Sequence, residues 1–211
     1  MAKALLFAIT LTILASSLPA TAQPSVDRPQ ERLGARAAFT GTFGNLNAHF
    51  GNGYDFTLYF TERVWKPLYF EVNIGATYFG DLLFPEIGEK FTGRPPGIAT
   101  EMRLAYVTLG PQHTSIISET KTAYISLGVG IYTVSMLFDT GIEAFGLSEQ
   151  HFGLSGGCGM FWRITDNWNI DVNATVNAIR TDNDDLYPFF TGGDRNPIIY
   201  AVGLGLAMDL R

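Results

Sequence analysis

From Arg32 onward the chain alternates between apolar and polar residues with a period of two, over runs of about ten residues or longer. Leu68, Phe70, Val72, Ile74, Ala76 and Tyr78 alternate with Glu71, Asn73, Gly75 and Thr77. Trp168 to Arg180 places Ile170, Val172, Ala174 and Val176 opposite Asn169, Asp171, Asn173, Thr175 and Asn177. Side chains of a strand point to opposite faces in turn, so this pattern is that of a strand with one apolar and one polar face. The same reading applies to Arg32–Phe43, Tyr54–Arg63, Thr100–Leu109, Thr122–Phe138, Phe152–Arg163 and Ile199–Arg211. Eight strands are expected, mostly long enough to cross a bilayer at a tilt of about 45°.

The connections alternate in length. "TERVWKP" and "RITDNWN" are short, whereas "GNLNAHFGNG", "GDLLFPEIGEKFTGRPPGIA", "DTGIEAFGLSEQ" and "TDNDDLYPFFTGGDRNP" are long and rich in Gly, Asp, Asn and Pro. An even number of antiparallel strands then puts all four long loops at one end. "GPQHTSIISETK", Gly110 to Lys121, falls at the opposite end and is expected to be an unusually long turn of 12 residues.

The N-terminus has a different pattern. Lys3 precedes an apolar run from Ala4 to Ala15, and small residues follow up to Ala20-Thr21-Ala22. This is the layout of a cleaved secretory signal peptide over 1–22. Residues 23–31 form a polar lead-in, and the barrel domain is expected over 32–211. The apolar run is shorter than the roughly 20 residues of a membrane helix, and no later run reaches 18 apolar residues. The single cysteine, Cys158, excludes an intramolecular disulfide despite export. A net charge of −6 with no basic run excludes nucleic acid as the expected partner.

Composition decides which face of the strands is outside. Charged residues make up 16% of the chain and mean hydropathy is +0.12, against about 25% charge in ordinary soluble proteins. A soluble barrel turns a Lys- and Glu-rich face to water. Here there are four lysines, none clearly within a strand. The polar face is Gly, Ser, Thr and Asn with a few charges of both signs: Arg36, Asp55, Glu71, Glu101, Arg103, Arg163, Asp171 and Asp209. Small residues and paired charges suit a narrow lumen. On the apolar face, Tyr54, Tyr78, Tyr106, Trp162, Trp168 and Tyr200 stand near strand ends, where interfacial aromatic girdles form. In the fourth strand Met102, Leu104 and Tyr106 are assigned to the lipid face, opposite Glu101 and Arg103. The expected fold is therefore all-β: an eight-stranded antiparallel up-and-down transmembrane β-barrel.

Two segments carry detail beyond this pattern. "GLSGGCGMFWRITDNWNIDVNATV" resembles the strand–turn–strand of small outer-membrane barrels of the OmpA, OmpX and OmpW kind, in which a Gly-rich strand ends in an aromatic before a polar turn. "YAVGLGLAMDLR" resembles the amphipathic C-terminal strand of that family, although it ends in Leu210 and Arg211 rather than in an aromatic. The resemblance implies a bacterial outer-membrane location in contact with lipid and lipopolysaccharide. It also implies insertion by the barrel-assembly machinery, and a monomer.

Several residues have the spelling of chemistry. Gly153-Leu-Ser155-Gly-Gly157 matches G-x-S-x-G, with His151 and Glu149 upstream. That motif works on a strand-to-helix turn. Here Ser155 lies within a strand, about 13 Å along it from His151. His113 and Ser115 are placed in a solvated turn, and His49 at a loop tip. Cys158 is read as a small packed hydrophobe. Asp182, Asp184 and Asp185 could offer oxygens to calcium but do not match an EF-hand loop and are read as a solvated loop. Tyr187, Phe189 and Phe190 follow them. No catalytic residue, metal ligand or cofactor is assigned. The expected function is a non-enzymatic outer-membrane barrel with a structural or surface-interaction role carried by its long loops. A small pore or hydrophobic-molecule conduit, and a lipid A acyl-modifying enzyme, are the alternatives.

Overall fold

The computed structural model describes residues 29–43, 52–79, 99–139, 144–181 and 197–210. Eight strands follow one another: β1 Glu31–Phe43, β2 Gly53–Trp65, β3 Leu68–Phe79, β4 Ala99–Ser118, β5 Lys121–Asp139, β6 Ala144–Arg163, β7 Trp168–Arg180 and β8 Ile198–Leu210. Each pairs antiparallel with its sequence neighbour, and β8 pairs with β1, which closes the barrel in the order β1 to β8. Closure gives every strand a partner on both sides, so that no sheet edge is left to pair with another chain.

The register shows how the barrel is staggered. From Leu33, successive cross-strand partners are Phe60, Val72, Leu109, Val129, Leu154, Ala178 and Ile198, and the next step returns to β1 at Phe43, ten residues further on. That stagger goes with strands tilted by about 35–45° and an interior just wide enough for side chains to fill. All the residues on this circuit are apolar, and their alternate positions put them on the outer wall. Leu127 and Phe152 are 70% and 75% exposed there. Arg36, Thr57, Glu71, Asp171 and Asn173 are buried inside. The polar-in, apolar-out arrangement read from the sequence is correct for seven of the eight strands.

β4 is the exception. Met102, Leu104 and Tyr106 are buried in the lumen, whereas Arg103, Val107 and Leu109 face outward. Tyr106 is therefore not part of an outer girdle, and Arg103 is not a lumen charge. The error has a physical cause: Met102, Leu104 and Tyr106 fill the lumen while Ala105, Val107 and Leu109 face outward, so both faces of the strand carry hydrophobic residues and alternation loses its sign. The expected long turn at Gly110–Lys121 is also corrected. β4 continues to Ser118 and β5 starts at Lys121, which leaves Glu119 and Thr120 as a two-residue turn. Gln112 and Thr114 continue the inward face of β4 through this stretch. At the other end β6 begins at Ala144, well before the expected Phe152, so the β5–β6 hairpin extends past the end of β7.

The lumen glycines have a specific role. Tyr59 lies over Gly34, Tyr106 over Gly75, Tyr124 over Gly159 and Tyr132 over Gly153. A Cβ on Gly75 would sit 2.3 Å from the Tyr106 ring, and one on Gly34 would sit 2.3 Å from the Tyr59 ring. Each ring thus lies flat against the neighbouring strand and fills the lumen sideways. This is closer contact than the general need for small lumen residues that the sequence suggests.

Candidate functional site

The lumen is the place where this fold gathers its polar groups, and its contents change along the axis. In the half nearer the short turns, Arg36 of β1 reaches across the interior. Its Nε donates to Asp171 Oδ2 at 2.7 Å, Nη1 to Glu71 Oε1 at 3.1 Å and Asn73 Oδ1 at 3.3 Å, and Nη2 to Tyr124 Oη at 3.2 Å. Tyr124 in turn donates to Asp171 Oδ1 at 2.8 Å, and Gln112 Nε2 donates to Glu71 Oε2 at 3.2 Å. The guanidinium lies 3.8 Å from the centre of the Tyr59 ring. One turn of the lumen below, Arg32 pairs with Asp209 at 2.6 Å and covers the Phe161 ring at 3.7 Å, and Phe161 stacks on Tyr124. Two buried arginines thus face three carboxylates through hydrogen bonds, Arg32 to its neighbour on β8 and Arg36 over one intervening strand on each side to β3 and β7. Buried charges are tolerated only with such partners, and removal of one member leaves the rest uncompensated.

Midway along the lumen, Asp55 is held by hydroxyl groups. Its carboxylate accepts from Thr57 at 2.7 Å, Thr77 at 2.6 Å and Tyr106 at 3.0 Å. A cavity of about 30 Å³ lies between this group and the Arg36 network, lined also by Asn73, Ser126, Ser155 and Asn173. That is room for one or two waters. Toward the long loops the interior becomes mostly apolar: Phe79, Met102, Leu104, Val134, Ile179 and Ile199 are all 2% exposed or less, with Thr40, Thr42 and His151 buried among them.

The residues singled out by sequence are spread over this frame. Arg36, Asp55, Glu71, Asp171 and Asp209 lie in the lumen as read, and Arg163 shares their inward register at the short-turn mouth. Ser155 lines the mid-lumen cavity. His151, four positions away on β6, is buried with Nε2 3.5 Å from Glu149 Oε2. His113 and Ser115 lie on β4, not in a turn, and His113 is exposed on the outer wall. Cys158 is half-buried on the outer face of β6. His49, Asp182, Asp184, Asp185, Tyr187, Phe189 and Phe190 lie outside the described residues, as do residues 1–28 and Arg211. Among the described residues no group of three or more His, Cys, Asp or Glu side chains could hold a metal ion.

Sequence reasoning puts Tyr59 and Tyr124 on the polar face without a role and misses Phe161 and Gln112. All four sit on inward positions, and for Tyr59 and Tyr124 an aromatic on the polar face opposite a glycine of the next strand, Gly34 and Gly159, was the available signal.

Comparison with known proteins returns the architecture. No family model and no curated protein sequence matches this chain. Solved structures do match. Neisserial surface protein A aligns with a TM-score of 0.56 at 14% identity over 86% of this chain and 97% of its own. Ail, the attachment invasion locus protein of Yersinia pestis, gives 0.51 at 16% over 86% and 99%. The outer membrane protein OprG from Pseudomonas aeruginosa gives 0.52 at 14% over 87% and 99%. At these identities the likeness is one of fold. The chain has the closed, eight-stranded, all-antiparallel barrel fold of small bacterial outer-membrane proteins.

Proposed function

We propose that this chain is a non-enzymatic integral outer-membrane protein, a closed barrel that presents its long loops at the cell surface. The observation that carries the reading is the Arg36 network: one guanidinium bonded to β3, β5 and β7 from β1 occupies the lumen where a channel would have to pass. An eight-stranded barrel filled in this way is a scaffold, and specificity then resides in the loops. The apolar outer wall supports contact with membrane lipid. The structural neighbours, a surface protein and an attachment protein among them, support a surface role. Against the enzymatic alternative, Ser155 faces the interior of a strand-bounded lumen, and no hydrogen bond joins His113 or Ser115 to a carboxylate among the described residues.

The test is conductance of the purified barrel in planar bilayers. The proposal expects no steady current from the parent protein. A stable open state in the parent would favour the conduit reading, and acyl release from lipopolysaccharide that is lost in Ser115→Ala or Ser155→Ala would favour the enzyme.

A further inference from the structure

We infer that the short-turn mouth of the lumen is a binding site for an oxyanion, a phosphate or carboxylate group entering from the aqueous side. A cavity of about 20 Å³ opens there, between Arg32, Arg163, Thr114, Thr122 and Asn169, with Glu119 at its rim. Its walls come from different strands, β1, β4, β5, β6 and β7, so the donors converge because the barrel closes, not because they are adjacent in sequence.

Two independent observations point to an anion. The first is charge. Arg32 is committed through Nε to Asp209, but Arg163 has no side-chain hydrogen bond or ion pair among the described residues. The cavity thus holds one guanidinium paired with a carboxylate and one that is not, with Glu119 as its other charged lining residue. The second is an unfilled donor. Asn169 lines the same cavity, is only 3% exposed, and its Nδ2 has no hydrogen-bond partner. A buried donor left unmade costs its full desolvation, so it calls for an acceptor. Arg163 and Asn169 are direct cross-strand partners, which places a guanidinium and an amide N–H side by side. The Thr122 hydroxyl lines the same cavity and can donate to the same group, whereas the Thr114 hydroxyl donates to the Pro67 carbonyl at 3.2 Å. The volume suits one or two anionic oxygens, not a whole ligand. The site therefore takes the charged head of a molecule whose remainder stays outside. The reading of the barrel as membrane-embedded enters only in naming the compartment to which this mouth opens.

The experiment uses the refolded full barrel in detergent micelles, with side-chain 15N signals of Asn169 and Arg163 followed during separate titrations of inorganic phosphate, acetate and chloride. The inference expects saturable shifts of both signals with phosphate or acetate. The stronger of the two identifies the head group, and chloride should be weaker. Arg163→Gln should weaken binding by about tenfold or more, the loss expected for one charged hydrogen bond, while heat-modifiable gel migration stays that of the parent. Asn169→Leu should weaken it less and leave Arg163 still responsive. Absence of saturable shifts in a correctly folded barrel, equal response to chloride, or undiminished affinity in Arg163→Gln would overturn the inference. None of these outcomes would touch the scaffold reading.

Discussion

The two halves of the lumen are sealed by opposite means. Toward the short turns, Arg36 and Arg32 are locked against Glu71, Asp171 and Asp209 and covered by Tyr59 and Phe161. Toward the long loops, Phe79, Met102, Leu104, Val134, Ile179 and Ile199 fill most of the interior with hydrocarbon, with Thr42 and the His151–Glu149 pair as polar exceptions. A charged lock depends on every partner being present, because each buried ion has few alternatives. An apolar seal depends on volume and is lost in proportion to what is removed. The difference teaches that the interior of a membrane barrel is not uniformly polar, and that the two ends fail differently under mutation.

The largest effect should come from breaking the lock. Arg36→Ala leaves Asp171 and Glu71 uncompensated and should cost about 3–5 kcal/mol, read as a shift in urea unfolding of the barrel in lipid vesicles. Arg36→Met combined with Glu71→Gln and Asp171→Asn should recover part of that loss. If the triple variant is as unstable as the sum of the single ones, the charges are not acting as a unit. In the apolar half, Leu104→Ala should cost about 2–5 kcal/mol through lost burial and the cavity left behind. The loss should be additive with a change in the charged half, since distant sites add. The outer wall supplies a third comparison: Val172→Arg puts a cation on the lipid-facing side of β7 and should cost about 2–4 kcal/mol of insertion. An Arg variant that folds into bilayers as well as the parent would mean that the faces are reversed. Gly75→Val should cost about 1–3 kcal/mol, because its Cβ would meet the Tyr106 ring. Adding Tyr106→Ala should relieve part of this overpacking.

The same contrast explains what could be read from the chain. Strands facing the polar part of the lumen show clean alternation, as in Val72, Asn73 and Ile74 or Val172, Asn173 and Ala174, and their faces were legible. β4 was misread because Leu104 and Met102 meet other apolar side chains inside, while Ala105 and Val107 face outward, so periodicity gave no sign. Arg103 then misled, since a charge near the membrane edge can stand on the outer wall. The stretch Gly110-Pro-Gln-His113 reads as a turn by composition, yet Gln112 and Thr114 keep the period of two and the strand runs through it. The ion pairs were only half visible. The inward charges could be named, but which of them meet depends on stagger. Arg36 is hydrogen-bonded to Asp171 over Gly205 of the intervening β8, 135 residues away in sequence, and nothing local encodes that.

Cell fractionation combined with heat-modifiable gel migration tests the central claim, a membrane barrel with its apolar face outward, most directly. The account predicts that the protein is found in the outer-membrane fraction and that the unheated, folded form migrates differently from the boiled form. Recovery from the soluble periplasm with no heat-dependent shift would contradict it.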